Sequence, residues 1–255
     1  MEEVFNDAAF KAEHKVGSIN SVNICRVLVQ VVHYFYAYLQ LHPDADPADE
    51  VAFCIPTGAA GHITAGVMAR AMGLPVRSLC AATNANDVLH RVLGSPPGVA
   101  LDVSVRGSKI KVTNSPSMDI QIPYNIERML YIATGGNTEV VRHIVRRFKA
   151  EGRLQLSAAL MDSLHSLRLW SAAISNDRVC TTIAAVAGAC DYVLDPHTAV
   201  GVTAALEERP PPAAATGSGG GVRGGAAGGG RGANIVCMAC AHPSKVNEAK
   251  RREET

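Results

Sequence analysis

The sequence predicts an α/β fold, a mostly parallel sheet with helices on both faces. Two strand-loop-helix units follow one another: VAFCI leads to ITAGVMARAMG, and LPVRSLCAAT leads to NANDVLHRVLG. Strands in this order pair in parallel through right-handed crossovers. The chain has 255 residues, 47% of them hydrophobic, which is enough to bury a sizeable core.

The first part of the domain predicts one long helix and one buried strand. Residues 1–16 are polar and have no sustained period, so they predict an N-terminal arm, and residues 17–255 form the domain. From Asn20 or Ser21, both good N-cap residues, apolar residues recur at helical spacing up to Leu39 and indicate one broad buried face. VAFCI then predicts a buried strand, and the helix after it stops at Gly73.

The second part continues the alternation. SKIKVT is a possible strand, YNIERMLYIA and TEVVRHIVRRFKAEG are amphipathic helices, and LRLWSAAI is a strand followed by a helix capped by Asn176 or Asp177. NIVCMACAH predicts a last buried strand, and PSKVNEAKRRE a terminal helix. Between them, residues 209–233 hold 10 of the 23 glycines and predict a disordered surface insert.

Composition argues against several partners. The net charge is +1, so no charged field favours nucleic acid or a membrane surface. The longest apolar stretch, VLVQVVHYFYAYLQL, is too short and too polar to span a membrane. Seven cysteines, mostly in apolar stretches, indicate buried thiols in a reducing compartment. We therefore expect a cytoplasmic protein.

The sharpest local feature is the loop Gly58-Ala59-Ala60-Gly61 between a strand and a helix. Small residues let backbone N–H groups converge on an anion, and the helix N-terminus adds partial positive charge. This pattern predicts a cradle for a phosphate monoester, with a plain tight turn as the equal alternative. It is neither a Walker A loop nor the dinucleotide fingerprint.

For the other polar groups, a structural role is the alternative to a role in a functional site. Cys237 and Cys240 form a C-x-x-C, but no second pair has zinc-site spacing, so we predict buried thiols and no metal site. His197 and His242 could line a site, although a hydrogen-bonded structural histidine is more common. Two further sets are interpreted as helix caps and as a solvated helix face: Asn84, Asn86 and Asp87; and Arg142, Arg146, Arg147 and Lys149.

Six strings together resemble the threonine synthase family. They run in the family's order from about Gly17 to Ala249: GSINSVNICRVLVQVVHYFYAYLQ, VAFCIPTGAAGHITAGVMARAMGLPV, ATNANDVLHRVL, SPSMDIQIPYNIERMLY, DPHTAVGV and CMACAHPSKVNEA. The Gly-Ala-Ala-Gly loop resembles the threonine synthase-like 2 branch. The resemblance implies the C-terminal portion of a fold-type II pyridoxal-phosphate enzyme, similar to the tryptophan synthase β chain and incomplete.

The resemblance also implies a cofactor, pyridoxal 5'-phosphate (PLP), and roles for seven residues. Gly58, Ala59, Ala60 and Gly61 would hold the cofactor phosphate, and Cys240 would stand against the pyridine nitrogen. Asn20 and Ser21 match the family's Asn-Ser-Ile-Asn string near the cofactor. The implied activity is that of a lyase in amino-acid metabolism, acting on O-phosphohomoserine or O-phosphothreonine by elimination or by replacement with water.

In the family, the lysine that forms the Schiff base lies upstream of the Gly loop. The lysines before Gly58 here are Lys11 and Lys15, and neither matches the family's string. No catalytic residue is therefore assigned. We expect part of a lyase that works as a homo-oligomer or with the missing N-terminal half. A non-catalytic remnant that binds phosphate, PLP or a partner protein, and a domain whose family residues serve folding alone, are the alternatives.

Overall fold

A computed structural model describes residues 7–17, 20–96, 98, 100–102, 110–207 and 234–244. Its strands are β1 (Val51–Pro56), β2 (Val76–Thr83), β3 (Ala100–Asp102), β4 (Arg153–Gln155), β5 (Leu169–Ala173) and β6 (Ile235–Cys237). Its helices are α1 (Ala8–His14), α2 (Ile24–Leu41), α3 (Gly61–Ala71), α4 (Val88–Leu93), α5 (Ile126–Ala133), α6 (Thr138–Glu151), α7 (Ala158–Ser166), α8 (Asn176–Cys190) and α9 (Pro196–Glu207). A 3₁₀ turn spans Pro116–Met118.

The central sheet has the strand order β5-β2-β1-β6, and every described pair in it is parallel. In β1, Cys54 pairs with Cys80 on one side and with Cys237 on the other. A separate antiparallel pair joins β3 to β4. The parallel sheet predicted from the two strand-loop-helix units is confirmed.

Apolar side chains cover both faces of this sheet. Phe53 and Ile55 of β1 belong to the larger core cluster, which also holds buried residues of α2, α3, α4, α5 and α7. Cys54, between them in sequence, belongs to a second cluster with residues of α8 and α9. Since successive strand residues point to opposite faces, the two clusters are the two sides of one sheet. Helices on both faces are therefore confirmed.

Helix α2 begins later and buries less than predicted. Its N-cap is Asn23, whose side chain accepts a hydrogen bond from the Cys25 N–H, so the prediction of Asn20 or Ser21 as the cap is wrong. The buried positions are Val27, Val31, Tyr34 and Tyr38. The opposite face is also apolar, and Val29, Val32 and Tyr36 are 62–64% exposed. The helix thus carries an apolar face that the described part of the chain leaves uncovered.

The possible strand SKIKVT is wrong over residues 110–113, which form neither helix nor strand. The cap of α8 is Ser175, one residue before the predicted Asn176 or Asp177. Strand β6 exists, but it is partly exposed and not buried. Five elements were not predicted: α1 within the arm, strands β3 and β4, and helices α7 and α9.

The predicted insert 209–233 lies outside the described residues, as does the predicted terminal helix beyond residue 244. Among the helices that the structure describes, none has both the length and the apolar character needed to cross a membrane.

Candidate functional site

A cavity of about 360 Å³ opens at the carboxyl end of β1, where the loop of residues 57–60 leads into α3. Ligands of open α/β sheets bind at this edge. All seven residues predicted to contact the cofactor line the cavity: Asn20, Ser21, Gly58, Ala59, Ala60, Gly61 and Cys240. The fold therefore brings together residues that lie up to 220 positions apart, although their roles toward a ligand remain predictions.

The loop presents a row of backbone N–H groups. Ala60, the N-cap of α3, has a left-handed backbone with φ +63°, and no side chain caps the helix. The first helical hydrogen bond runs from the Thr64 N–H to the Ala60 carbonyl, at 3.2 Å. Within the described part of the chain, no hydrogen bond uses the backbone N–H of residues 58–63. Such unpaired donors at a helix N-terminus favour an anion.

The two glycines of the loop are explained by packing of the protein itself. A Cβ at Gly58 would stand 3.0 Å from the Met118 Cα, and one at Gly61 would stand 3.0 Å from the Ser21 Cβ. Side chains at these positions would collide with neighbouring segments whether or not a ligand is present. The need for small residues here is therefore not in itself a sign of phosphate.

A hydrogen-bond network around Asn125, which was not predicted from the sequence, holds the loop of residues 58–61 at the Ala59 carbonyl. Asn125 is fully buried, and both its backbone N–H and its side-chain Nδ2 donate to the Ala59 carbonyl, at 3.1 and 2.8 Å. Ser21 Oγ bonds Tyr124 Oη at 3.0 Å, and Arg128 Nη1 donates to the Ser21 carbonyl at 2.8 Å. The network occupies the Ala59 carbonyl, while the backbone N–H groups of the loop, whose residues line the cavity, have no partner among the described residues. The signal in the sequence was the polar Asn125 immediately before a helix.

His62 is neutral at physiological pH. Burial, and then the neighbouring His33, lower the pKa of His62 to about 4. Its buried Nε2 has no hydrogen-bond partner among the described residues, and the buried Oε1 of Gln30 also has none. Both residues line the cavity. His62 therefore supplies no positive charge to the cavity at neutral pH.

Cys240 lies at the edge of the cavity, in the loop after β6, and its N–H donates to Thr198 Oγ1 at 3.2 Å. Cys240 is an exposed residue, as are Cys25, Cys180 and Cys190, so the prediction of buried thiols is wrong for these four. Partial removal of the Cys240 thiol from water, and then the nearby Asp195 carboxylate, raise the pKa of Cys240 to about 12. Burial likewise raises the pKa of Cys237 to about 12. Both thiols are protonated at neutral pH. The described residues contain no group of three metal-ligating side chains.

His197 joins α9 to the opposite wall of the cavity. Its Nδ1 lies 3.0 Å from Asp195 Oδ1, and its Nε2 accepts from the Ser117 N–H at 3.3 Å. The Nδ1 proton therefore points to the carboxylate. His197 both lines the cavity and is hydrogen-bonded, so both predicted roles apply. His242 is exposed, bonds Ser244 and does not line the cavity.

The remaining candidates lie apart from the cavity. Asn84 and Asn86, interpreted as caps, instead form a buried network with Thr113, Ser115 and Asp119, so the cap prediction is wrong for them. Asp87 is the N-cap of α4 but makes no capping hydrogen bond. The basic residues of α6 are exposed, as predicted for a solvated face. Lys11 and Lys15 are exposed in and just after α1, and neither lines the cavity.

This chain is similar in sequence to curated threonine synthases and threonine synthase-like 2 proteins. No family model matches the chain. The threonine synthase of Pseudomonas aeruginosa is 40% identical over 205 residues, covering 80% of this chain and 41% of that protein. Human threonine synthase-like 2 is 37% identical over 204 residues, covering 79% and 40%.

Solved structures extend the match to nearly the whole chain. A PLP-bound threonine synthase from Brucella melitensis matches with a TM-score of 0.79 and 35% identity, covering 98% of this chain and 47% of that one. The yeast threonine synthase matches with a TM-score of 0.76 and 30% identity. The chain spans less than half the length of each of these relatives.

Proposed function

Because this chain belongs by sequence and fold to the threonine synthase family, we propose that its cavity binds the phosphate of pyridoxal 5'-phosphate. The observation that carries the proposal is the row of backbone N–H groups at residues 58–63, which have no acceptor in the described part of the chain. One solved relative is a PLP-bound threonine synthase.

The residues present fit the cofactor. Backbone donors and a helix N-terminus suit a phosphate dianion. The neutral Cys240 thiol, at the cavity edge, can donate only a weak hydrogen bond and would leave a pyridine nitrogen unprotonated. Bound PLP supplies an electron sink for bond breaking at the α-carbon of an amino acid. The chain's own part is to hold the phosphate and to orient the ring.

We infer that the reaction is that of a threonine synthase-like lyase. Its substrate would be a phosphorylated amino acid, O-phosphohomoserine or O-phosphothreonine, from which phosphate is eliminated or replaced by water. The cavity of about 360 Å³ is within the usual size range of small-molecule sites. Relatives named threonine synthase support the class of reaction. The lysine that forms the Schiff base would come from the family's region upstream of the Gly loop.

A partner would complete the site. The exposed apolar face of α2, with Val29, Val32 and Tyr36, is of the kind that is covered in protein interfaces. The same helix contributes Arg26 and Gln30 to the cavity wall. We propose that the part of the family's chain that lies N-terminal to the matched region, or a second copy of this chain, packs there. A cytoplasmic location stays a prediction.

The second candidate function is binding without turnover. It is favoured by the positions of Lys11 and Lys15, which are exposed and outside the cavity lining. We expect borohydride reduction in the presence of PLP, followed by mass spectrometry, to find no pyridoxyl group on either lysine. A specific pyridoxyl adduct on Lys11 or Lys15 would instead identify a Schiff-base lysine within this chain and would contradict binding without turnover.

The binding proposal is tested by isothermal titration calorimetry with PLP and with pyridoxal, which lacks the phosphate. We expect PLP to bind at least about tenfold more tightly, because the cradle contacts the phosphate. Ala59 lines the cavity and is partly exposed. Ala59→Asp sets a carboxylate against the dianion and should weaken PLP binding at least about tenfold. Ala59→Asn, similar in shape and uncharged, should change it about threefold or less. Equal affinities for PLP and pyridoxal would reject the proposal.

A further inference from the structure

A second cavity, of about 310 Å³, lies among α4, α5, α6, β4 and the segment 121–124. It shares a wall with the first cavity. Ser117, Met118 and Ile120 line the first cavity, residues 121–123 line the second, and Tyr124 lines both. The second cavity takes no part in the function proposed above.

The interior of this second cavity is apolar. Val92 and Leu130 are each 1% exposed, and Leu154 is 7% exposed. Ile144 and Phe148 of α6 pack against the same cluster and complete the lining. An apolar space of this size does not hold well-bonded water and accepts apolar groups. The interior therefore suits the hydrocarbon part of a ligand.

The mouth of the cavity is charged. Lys149 and Glu127 line both this cavity and an adjoining surface groove, in which Arg146 also lies. On the same helix, Arg142 pairs with Glu139, and Arg147 pairs with Glu151. In the described part of the chain, Arg146 and Lys149 belong to no ion pair. Three basic residues of α6 therefore line the groove: Arg142 has a carboxylate partner, whereas Arg146 and Lys149 have none in the described part of the chain.

We propose that this cavity binds a small amphipathic carboxylate, with its apolar body between Val92, Leu130 and Phe148 and its carboxylate at Lys149 and Arg146. Two sources share this chemistry: a medium-chain fatty acid and an apolar amino acid. The Glu127 carboxylate at the mouth would meet the ammonium group of the amino acid and would have no counterpart in the fatty acid. The proposal is independent of PLP binding.

The test is calorimetric titration of the full chain with octanoate, octan-1-ol and L-norleucine. Octanoate should bind more tightly than octanol. The double variant Arg146→Gln/Lys149→Gln should weaken octanoate about fivefold and leave octanol unchanged, since exposed ion pairs are each worth less than about 1 kcal/mol. Arg147→Gln, on the same helix but paired with Glu151, is the matched control and should have no effect.

A variant that blocks the cavity locates the binding. Val145 lines the second cavity and the adjoining groove and is only partly buried, so Val145→Phe should be tolerated and should abolish binding of octanoate and octanol. L-Norleucine that binds more tightly than octanoate and is weakened by Glu127→Gln would assign the amino-acid source. Octanoate binding no tighter than octanol, or unaffected by both the double variant and Val145→Phe, would overturn the proposal. PLP titrations on the same variants report separately on the first cavity.

Discussion

The two cavities share the wall of residues 117–124 but differ in what builds them. The first is shaped by backbone: residues 58–63, whose N–H groups have no partner in the described part of the chain, line it, and Gly58 lets the Met118 backbone approach closely. The second is shaped by side chains, which are apolar inside and charged at the mouth. A backbone site needs small residues at fixed places, whereas a side-chain site needs only volume and polarity. Substitutions should therefore affect the two cavities in different ways.

The largest effect is expected from Leu130→Ala in the second cavity. Leu130 is 1% exposed, so its loss enlarges an existing space and should lower the free energy of unfolding by about 2 to 5 kcal/mol. PLP affinity should change little, because Leu130 does not line the first cavity. Urea unfolding and PLP titration measure the two quantities. Leu206→Ala, at a residue 70% exposed, is the control, with a change of about 0.5 kcal/mol or less. A matching loss of PLP affinity in Leu130→Ala would show that the cavities are not separate.

Gly58→Ala should act on stability and ligand together. The added Cβ would stand 3.0 Å from the Met118 Cα, a backbone atom that cannot rotate away, and should lower the free energy of unfolding by about 1 to 3 kcal/mol. Because Gly58 and Met118 both line the first cavity, a shift of either segment should also weaken PLP binding. The matched control is Gly188→Ala in α8, where a Cβ meets nothing within 4 Å. Unchanged stability in Gly58→Ala would remove the packing explanation of the loop.

A pH dependence should arise from His62. Its pKa of about 4 in the folded chain lies below the ordinary value of 6.5, so the unfolded chain binds the proton more readily. The resulting stability is fully present above pH 6.5 and is lost as the pH falls toward 4, by about 1 to 2 kcal/mol at pH 5. In His62→Asn, this decrease in the free energy of unfolding between pH 7.5 and 5 should be absent when it is measured by urea unfolding. His143→Asn, on the exposed face of α6, should keep it.

The smallest effect is expected from Asp195→Asn, which tests the support of the shared wall through His197. Burial of Asp195 raises its pKa, but hydrogen bonds from His197 and Thr198 outweigh this and lower the pKa below 3.8. The carboxylate therefore stabilises the fold above pH 3.8, and this contribution disappears as the pH falls through the lowered pKa. Asparagine keeps an acceptor for these donors, so the melting temperature at pH 7 should change by about 4 °C or less. Below pH 4, the melting temperature of Asp195→Asn should decrease less with falling pH than that of the wild type. Asp162→Asn, at an exposed residue of α7, is the control, and its melting temperature should decrease as in the wild type.

The sequence was informative where local pattern decides structure. β1 and β2 are short apolar runs followed by turn residues, and the loop after β1 contains two glycines at tight positions. These features can be recognised without knowing what packs against them. For that reason the parallel sheet and the loop of residues 58–61 at the first cavity were predictable, whereas Asn20, Ser21 and Cys240 were predicted only through the resemblance to the threonine synthase family.

The sequence was misleading where distant residues decide structure. Residues 110–113 alternate like a strand, but the Thr113 hydroxyl bonds Asp119 and accepts from Asn84, 29 positions away. Asn125 acts on the Ala59 carbonyl across 66 positions. The second cavity is made from four elements that share no motif. Contacts of this kind arise only in the folded chain.

We propose that the backbone N–H groups of residues 58–63 bind the phosphate of PLP. The most direct measurement is a titration of the ¹⁵N-labelled chain with PLP, followed by amide chemical shifts, with pyridoxal as the control. We expect the amide signals of residues 58–63 to shift most with PLP and much less with pyridoxal. Largest shifts in α6, around Arg142 and Lys149, or equal shifts with both compounds, would contradict it.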